Sequence, residues 1–278
     1  MCAGPVARHR TRAAAALSAM AGDAVLSHQS AAVIYGAPIW SAPVDRLCIT
    51  RNRRHGGRIK PHMKVHCAPV ESVAEVDGML LTTPARTIVD LARTLSFETA
   101  VVAGDWLARE FGVTAGDLAR ELEHGRCRRG IDPARCVIRF LNPHCESVGE
   151  SLSRVMLRGQ ALALPRSQGE VCTAQGEYLG RVDFYFGDSG VVADFDGRAT
   201  PGRGGPHPGA AASAVKARED VLRDNGFQLI RWTWDDLFTD AIAARLASAL
   251  ARAGRLRPAG YIRQAALPEP APLTIRKL

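Results

Sequence analysis

The sequence predicts an α/β (α+β) protein, a small N-terminal α/β domain followed by a second domain with a central mixed sheet flanked by helices. Three observations lead there. A length of 278 residues suits one large or two medium domains. Apolar positions recur at helical spacing in some segments and at strand spacing in others. In the second half, alternating runs are broken by "AQGE" and "GDSG", both of them turn chemistry.

With 46% hydrophobic and 23% charged residues, the composition is that of a globular chain and excludes a disordered one. A formal net charge of +8 favours an anionic partner such as nucleic acid. No run approaches the roughly 18 apolar residues of a membrane span, so no membrane partner is expected. The start, "MCAGPVARHRTRAAAALSAMAGDAVLSH", superficially resembles a signal peptide but has no cleavage pattern. It reads as an amphipathic helix over 1–23, in a cytoplasmic protein. Seven scattered cysteines without a C-x-x-C argue against a disulfide framework. His124, Cys127, Cys136, His144 and Cys145 lack the short paired spacing of a structural zinc site.

The first domain, 24–140, opens with "LSHQSAAVIYG", where Ser27 is placed to cap a helix and Gly36 to stop it. "DRLCITR" and "GRIKPHMKVHCAPV" read as strands joined by the basic "NRRHGG". Thr83 caps the next helix and Pro84 takes its first position, with Ile88, Leu91 and Ala92 on one face. The cluster of Arg51, Arg53, Arg54, His55, Arg58, Lys60 and Lys64 suits either a phosphate-contacting loop or a solvated hairpin tip.

The second domain, 145–254, begins at "CESVGESLSRVMLRG", where Ser147 and Glu150 have capping-box spacing and Arg154 lies one turn on. "EVCTAQGEYLGRVDFYFGDSGVVADFDG" then predicts three antiparallel strands. A turn at Gly187–Gly190 sets Phe186 opposite Val191, Asp183 opposite Asp194 and Arg181 opposite Asp196. Val182, Phe184, Phe186, Val191, Ala193 and Phe195 then form the core face. The other face gathers three aspartates and an arginine. Like charges facing each other repel, and either a divalent cation or solvent at the sheet's edge relieves them. A Gly/Pro/Ala loop follows. Then comes the helix "AVKAREDVLRDNG", with Val215, Ala217 and Leu222 inward and Gly226 as stop. "FQLIRWTW" is a buried strand, the next helix turns Leu246 and Leu250 inward, and 255–278 reads as a flexible tail.

Helix, three strands, helix and strand, carried by "ESVGESLSR", "GRVDFYF", "VVADFDG" and "AREDVLRDNGFQLIRWTWDDL", resemble the PD-(D/E)XK nuclease core. The likeness is to its Vsr-like branch found in many actinobacterial proteins. Upstream, "LSHQSAAVIYGAPIW" and "LLTTPARTIVDLA" resemble AbiEi-type antitoxins of type IV toxin–antitoxin systems, and the matches span about 20 to 250. The resemblance implies that Asp183 and Asp194 bind Mg²⁺ or Mn²⁺, with Asp196 ending the motif and Glu150 completing or supporting the coordination. It implies that Lys216 brings positive charge near the attacking water and that Arg218 and Arg231 hold phosphates. Arg181, Arg198, Arg53 and Arg54 are the further expected DNA contacts.

Three departures keep a second reading open. Position 194 is Asp where related proteins have Glu, and the segment after "DFDG" offers only Arg198 and the distant His207 in place of a lysine. There is also little room before Leu26 for the winged helix-turn-helix such proteins carry; a truncated start and a chain lacking that module both stand as expectations, with the N-terminal helix a candidate remnant of it. A metal-dependent DNA endonuclease is therefore one expectation. A non-catalytic antitoxin or transcriptional regulator, binding DNA or a cognate toxin protein, is the other, and a scaffold with a solvated acidic face is a third.

Overall fold

A computed structural model describes residues 4–20, 22–53, 55–160, 162–197, 208–253 and 258–278, the stretch 208–215 by its backbone. Arg54, Arg198, His207 and the side chain of Val215 lie outside the described residues. The protein is of the α+β class, with mixed sheets flanked by helices. It divides into two units, Met1–Pro143 with Pro268–Leu278, and His144–Leu267.

In the first unit α1 (Pro5–Ser18), β1 (Ala24–Leu26) and α2 (His28–Tyr35) lead into β2 (Leu47–Arg51), β3 (Arg58–Lys60), β4 (Met63–Cys67), β5 (Ser72–Val76) and β6 (Met79–Thr82). Helices α3 (Pro84–Thr94), α4 (Phe97–Phe111), α5 (Ala115–His124) and α6 (Ile131–Phe140) follow, and the last strand, β12 (Thr274–Lys277), returns to this sheet. Strand order is β12-β5-β6-β1-β2-β4-β3, with β1 parallel to β6 and β2 parallel to β4. Leu26, Ile49, Leu81, Ile88, Leu91 and Leu107 form its core. Helix α3 starts as its sequence dictates: Thr83 Oγ1 accepts from the Arg86 N–H (3.3 Å) and Pro84 needs no partner. Helix α2 stops at Gly36, whose φ of +93° few other residues tolerate. Ser27 precedes α2, but its hydroxyl makes no cap bond and instead accepts from Thr50 Oγ1 (2.8 Å).

Two expectations need correction here. The stretch 57–70 is a hairpin and not one strand, because Pro61, lacking an N–H, sits with His62 in a turn between β3 and β4. The expected tail is paired instead of loose. Residues of β11 (Gly260–Gln264) extend the second unit's sheet, and β12 pairs antiparallel with β5. Proline-rich composition in "LPEPAPL" marked the linker between two strands and concealed the strands themselves.

The second unit runs α7 (Val148–Leu157), β7 (Arg166–Thr173), β8 (Tyr178–Tyr185), β9 (Val191–Asp196), α8 (Pro208–Asp224), β10 (Gln228–Thr233), α9 (Ala241–Ala253) and β11. Its sheet order is β10-β9-β8-β7-β11, with β10 parallel to β9 and the other pairs antiparallel. Phe184 pairs with Ala193 and Tyr185 with Val192, the register that the GDSG turn predicts. On one face Phe184 stacks on Trp232, whose indole N–H donates to Ser153 Oγ of α7 (2.7 Å). The opposite face, which one expectation had as solvated, is so only in part: Asp196 is exposed, and Asp183 and Asp194 are half-buried. Tyr185 and Val192 are buried there with Leu222 of α8 and Phe227, so the aspartates share a face with apolar core. Ala217, expected inward, is exposed.

Candidate functional site

Strands β8 and β9 part where Asp183 and Asp194 face each other. Side chains take the place of ladder bonds: Asp183 Oδ2 accepts from the Phe195 N–H (2.8 Å), and Asp194 Oδ1 from the Asp183 N–H (3.3 Å). The two carboxylates are thereby fixed against the backbone of the opposite strand, which orients them without a ligand.

Burial, then the charges of Glu150 and Asp194, push the Asp183 pKa up to about 7, against small opposing effects of the Phe195 N–H and Arg218. Glu150 is itself buried, and burial raises its pKa. Its oxygens accept from the Glu146 N–H (2.9 Å), Ser147 Oγ (2.7 Å) and Gln168 Nε2 (2.7 Å), while Ser147 Oγ accepts the Glu150 N–H (3.1 Å). The capping box is thus present in altered form, with the carboxylate reaching past the cap residue to Glu146. Glu150 therefore acts on Asp183 by its charge and is held by three donors.

Asp194 faces cations already in the chain. Arg218 of α8 donates from Nη1 to Asp194 Oδ2 (3.1 Å) and from Nη2 to the Arg181 carbonyl. Arg231 Nε lies 3.9 Å from the same Asp194 oxygen, and its Nη1 donates to Glu219 (3.1 Å). Arg231 Nη2 is buried without a hydrogen-bond partner among the described residues. Arg181, expected across from Asp196, pairs with Glu146. Asp196 and Lys216 are both exposed, so the structure brings neither into the buried cluster. Arg53 lies in the first unit, where it and Arg51 are held by Asp23 (2.6 Å each).

Among the described residues no group of three or more His, Cys, Asp and Glu side chains stands ready to hold a metal ion. In kind, two carboxylates with a third nearby suit a hard divalent cation. In geometry, such a cation competes with Arg218 for Asp194. Two features were missed in the sequence. Gln168, buried with φ +57°, breaks the β7 ladder opposite Asp183 and clamps Glu150; a glutamine beside Gly169 inside a strand was its only signal. Arg245 and Arg252, seven apart on α9, line an open groove with Arg231, and Arg245 donates to the Arg231 carbonyl (2.7 Å). That spacing on one helical face was legible.

Two curated relatives carry the likeness to known proteins. The uncharacterized proteins MT2308 and Rv2248 of Mycobacterium tuberculosis, strains CDC 1551 and H37Rv, are each 29% identical over 238 residues, 84% of this chain and 84% of theirs. No family model and no solved structure matches the chain. Among the described residues no helix is long and apolar enough to cross a membrane.

Proposed function

We propose that the second unit is a PD-(D/E)XK-type, divalent-cation-dependent phosphodiesterase domain acting on DNA, centred on Asp183 and Asp194. The observation that carries this reading is the raised, proton-holding Asp183 between Glu150 and Asp194, at the point where β8 and β9 part. Structural carboxylates are ordinarily paired so as to stay ionised. Here Glu150 and Asp194 stand where their charge disfavours ionisation of Asp183, and added positive charge relieves it. The order α7, β7–β9, α8, β10, with β10 parallel to β9, supports the same reading.

Asp183 and Asp194 would hold Mg²⁺ or Mn²⁺, which when bound lowers the pKa of water and offsets charge on a phosphodiester. The chain's own residues set the conditions for that. Phe195 N–H and Asp183 N–H fix the carboxylates, and Gln168 and Ser147 keep Glu150 in place. Without a cation Asp183 has a pKa of about 7, so loading the metal there would release its proton and binding should strengthen as pH rises towards neutrality. Arg245 and Arg252 offer guanidinium groups to phosphates along the groove that they line with Arg231.

A second reading rests on Arg218. A guanidinium already bonded to Asp194 supplies the positive charge internally, and favours a non-catalytic domain that binds DNA or a cognate toxin protein. Calorimetry with Mn²⁺ and Mg²⁺, beside nicking of supercoiled plasmid, separates the two. Saturable metal binding and nicking that both vanish in an Asp183→Ala/Asp194→Ala variant support the phosphodiesterase. DNA retention without metal binding or nicking in the wild type supports the second reading.

A further inference from the structure

The first unit contains a cavity of about 710 Å³ whose lining residues all belong to that unit. Its walls come from the start of α3, from α5, and from the returning β12 segment. Arg86 lines it although only 8% exposed. Its Nε donates to Asp90 Oδ2 (3.0 Å) and its Nη1 to the Pro69 carbonyl (3.2 Å), while Nη2 has no hydrogen-bond partner among the described residues. Arg128 lines the same cavity, and its guanidinium makes no hydrogen bond or ion pair among the described residues.

Charge bookkeeping shows what the cavity lacks. Asp90, wholly buried, already serves Arg86 and also Arg93 (3.2 Å). Arg128 is close enough for the charges of Arg86, Asp90 and Arg93 to act on it, and burial with the neighbouring arginines holds its pKa below the ordinary value. Of the lining acids, Glu71 is exposed and Glu121 is half-buried. Glu121 Oε2 is buried without a hydrogen bond, 3.9 Å from Arg86 Nη1 and 3.9 Å from His124 Nδ1, and burial pushes the Glu121 pKa up. Asp117 is occupied by Arg120 and by the Thr114 cap. Arg86 Nη2 and the Arg128 guanidinium therefore line the cavity without an acceptor, while the acids Asp117 and Glu121 each stand beside a cation of the chain, and a guanidinium fork suits an added oxyanion. An anion supplies the acceptors. Phe111, Val113 and Leu273 add apolar side chains to the lining.

We propose that this cavity is a binding site for a small organic anion, its phosphate or carboxylate held by Arg86 and Arg128 and its apolar body lying against Phe111, Val113 and Leu273. The shared chemistry is an oxyanion on an apolar frame, and two probes distinguish its sources. Calorimetric titration of the full chain with phenyl phosphate and with benzoate is set beside inorganic phosphate and benzyl alcohol. Saturable binding of at least one aromatic anion is expected, tighter by about tenfold than phosphate alone, with no saturation by the alcohol. Arg86 is built into the core, so the decisive variant is Arg128→Gln, which removes no side-chain hydrogen bond or ion pair among the described residues; its ligand-free melting is recorded beside wild type. The variant is expected to weaken the aromatic anion by about tenfold or more. Absence of saturable binding by both aromatic anions overturns the proposal, as does an Arg128→Gln affinity equal to wild type. Equal affinity for phosphate and phenyl phosphate overturns the apolar half of the site. Each outcome is independent of whether the second unit hydrolyses DNA.

Discussion

Asp183 keeps its proton at a pH where an exposed aspartate has lost it, and this links the centre's chemistry to stability. Its ordinary pKa is 3.8 and its pKa in the fold about 7. Below 3.8 both folded and unfolded chains carry the proton; between the two values only the folded chain does. The stabilisation from the neutral acid is therefore fully present at low pH and is lost as pH rises towards 7, at about 1.4 kcal/mol per unit. In metal-free buffer Asp183→Asn, whose amide oxygen still accepts the Phe195 N–H, is expected to match wild type at pH 4. At pH 8 it should exceed wild type by roughly 2–4 kcal/mol, as denaturant unfolding at the two pH values would read. A flat difference across pH would mean that Asp183 ionises normally in the fold. The facing of Asp183 and Asp194 was legible because the register follows from turn length alone. The arginine on Asp194 was not, since which residue of α8 points at β9 depends on how the helix packs.

At the scale of the element, α7 is placed by a glycine and a serine that sequence reading passed over. A Cβ on Gly149 would stand 1.9 Å from Phe195 Cε1, so the helix can approach β9 only with hydrogen at that position. Gly149→Ala must push α7 and the Phe195 ring apart. It is expected to cost roughly 2 kcal/mol or more in unfolding free energy and to weaken any cation affinity through Phe195, whose N–H holds Asp183. One turn later Ser153 Oγ accepts from the Trp232 indole and donates to the Gly149 carbonyl (2.6 Å). Ser153→Ala strands a buried indole N–H, with an expected cost of about 1–3 kcal/mol and altered Trp fluorescence. Caps and turns such as Thr83, Gly36 and GDSG act within a few residues of chain and were readable. Contacts such as Gly149 on Phe195 join segments far apart in sequence and were not.

For the whole molecule, the chain's return is the organising feature: the second unit, His144–Leu267, lies between two pieces of the first. Thr274–Lys277 pair with β5, Ala271 N–H donates to the Glu110 carbonyl (2.7 Å), and Leu273 walls the cavity. Pro270 packs on Gly112, where a Cβ would stand 2.6 Å from its ring. Deleting 268–278 therefore removes an edge strand and one wall of the anion site together. The side chains of β12 are exposed, so the loss is chiefly of backbone bonds and packing around Leu273, roughly 2–4 kcal/mol. Hydrogen exchange localises it. Amides of β5 and of the end of α4 should lose protection, while those of β8, β9 and β10 keep theirs, because their ladders lie in the other unit. Metal binding at Asp183 and Asp194 should then survive the deletion while binding of the aromatic anion fails. Loss of both would show instead that the terminal segment stabilises the two units as one cooperative structure.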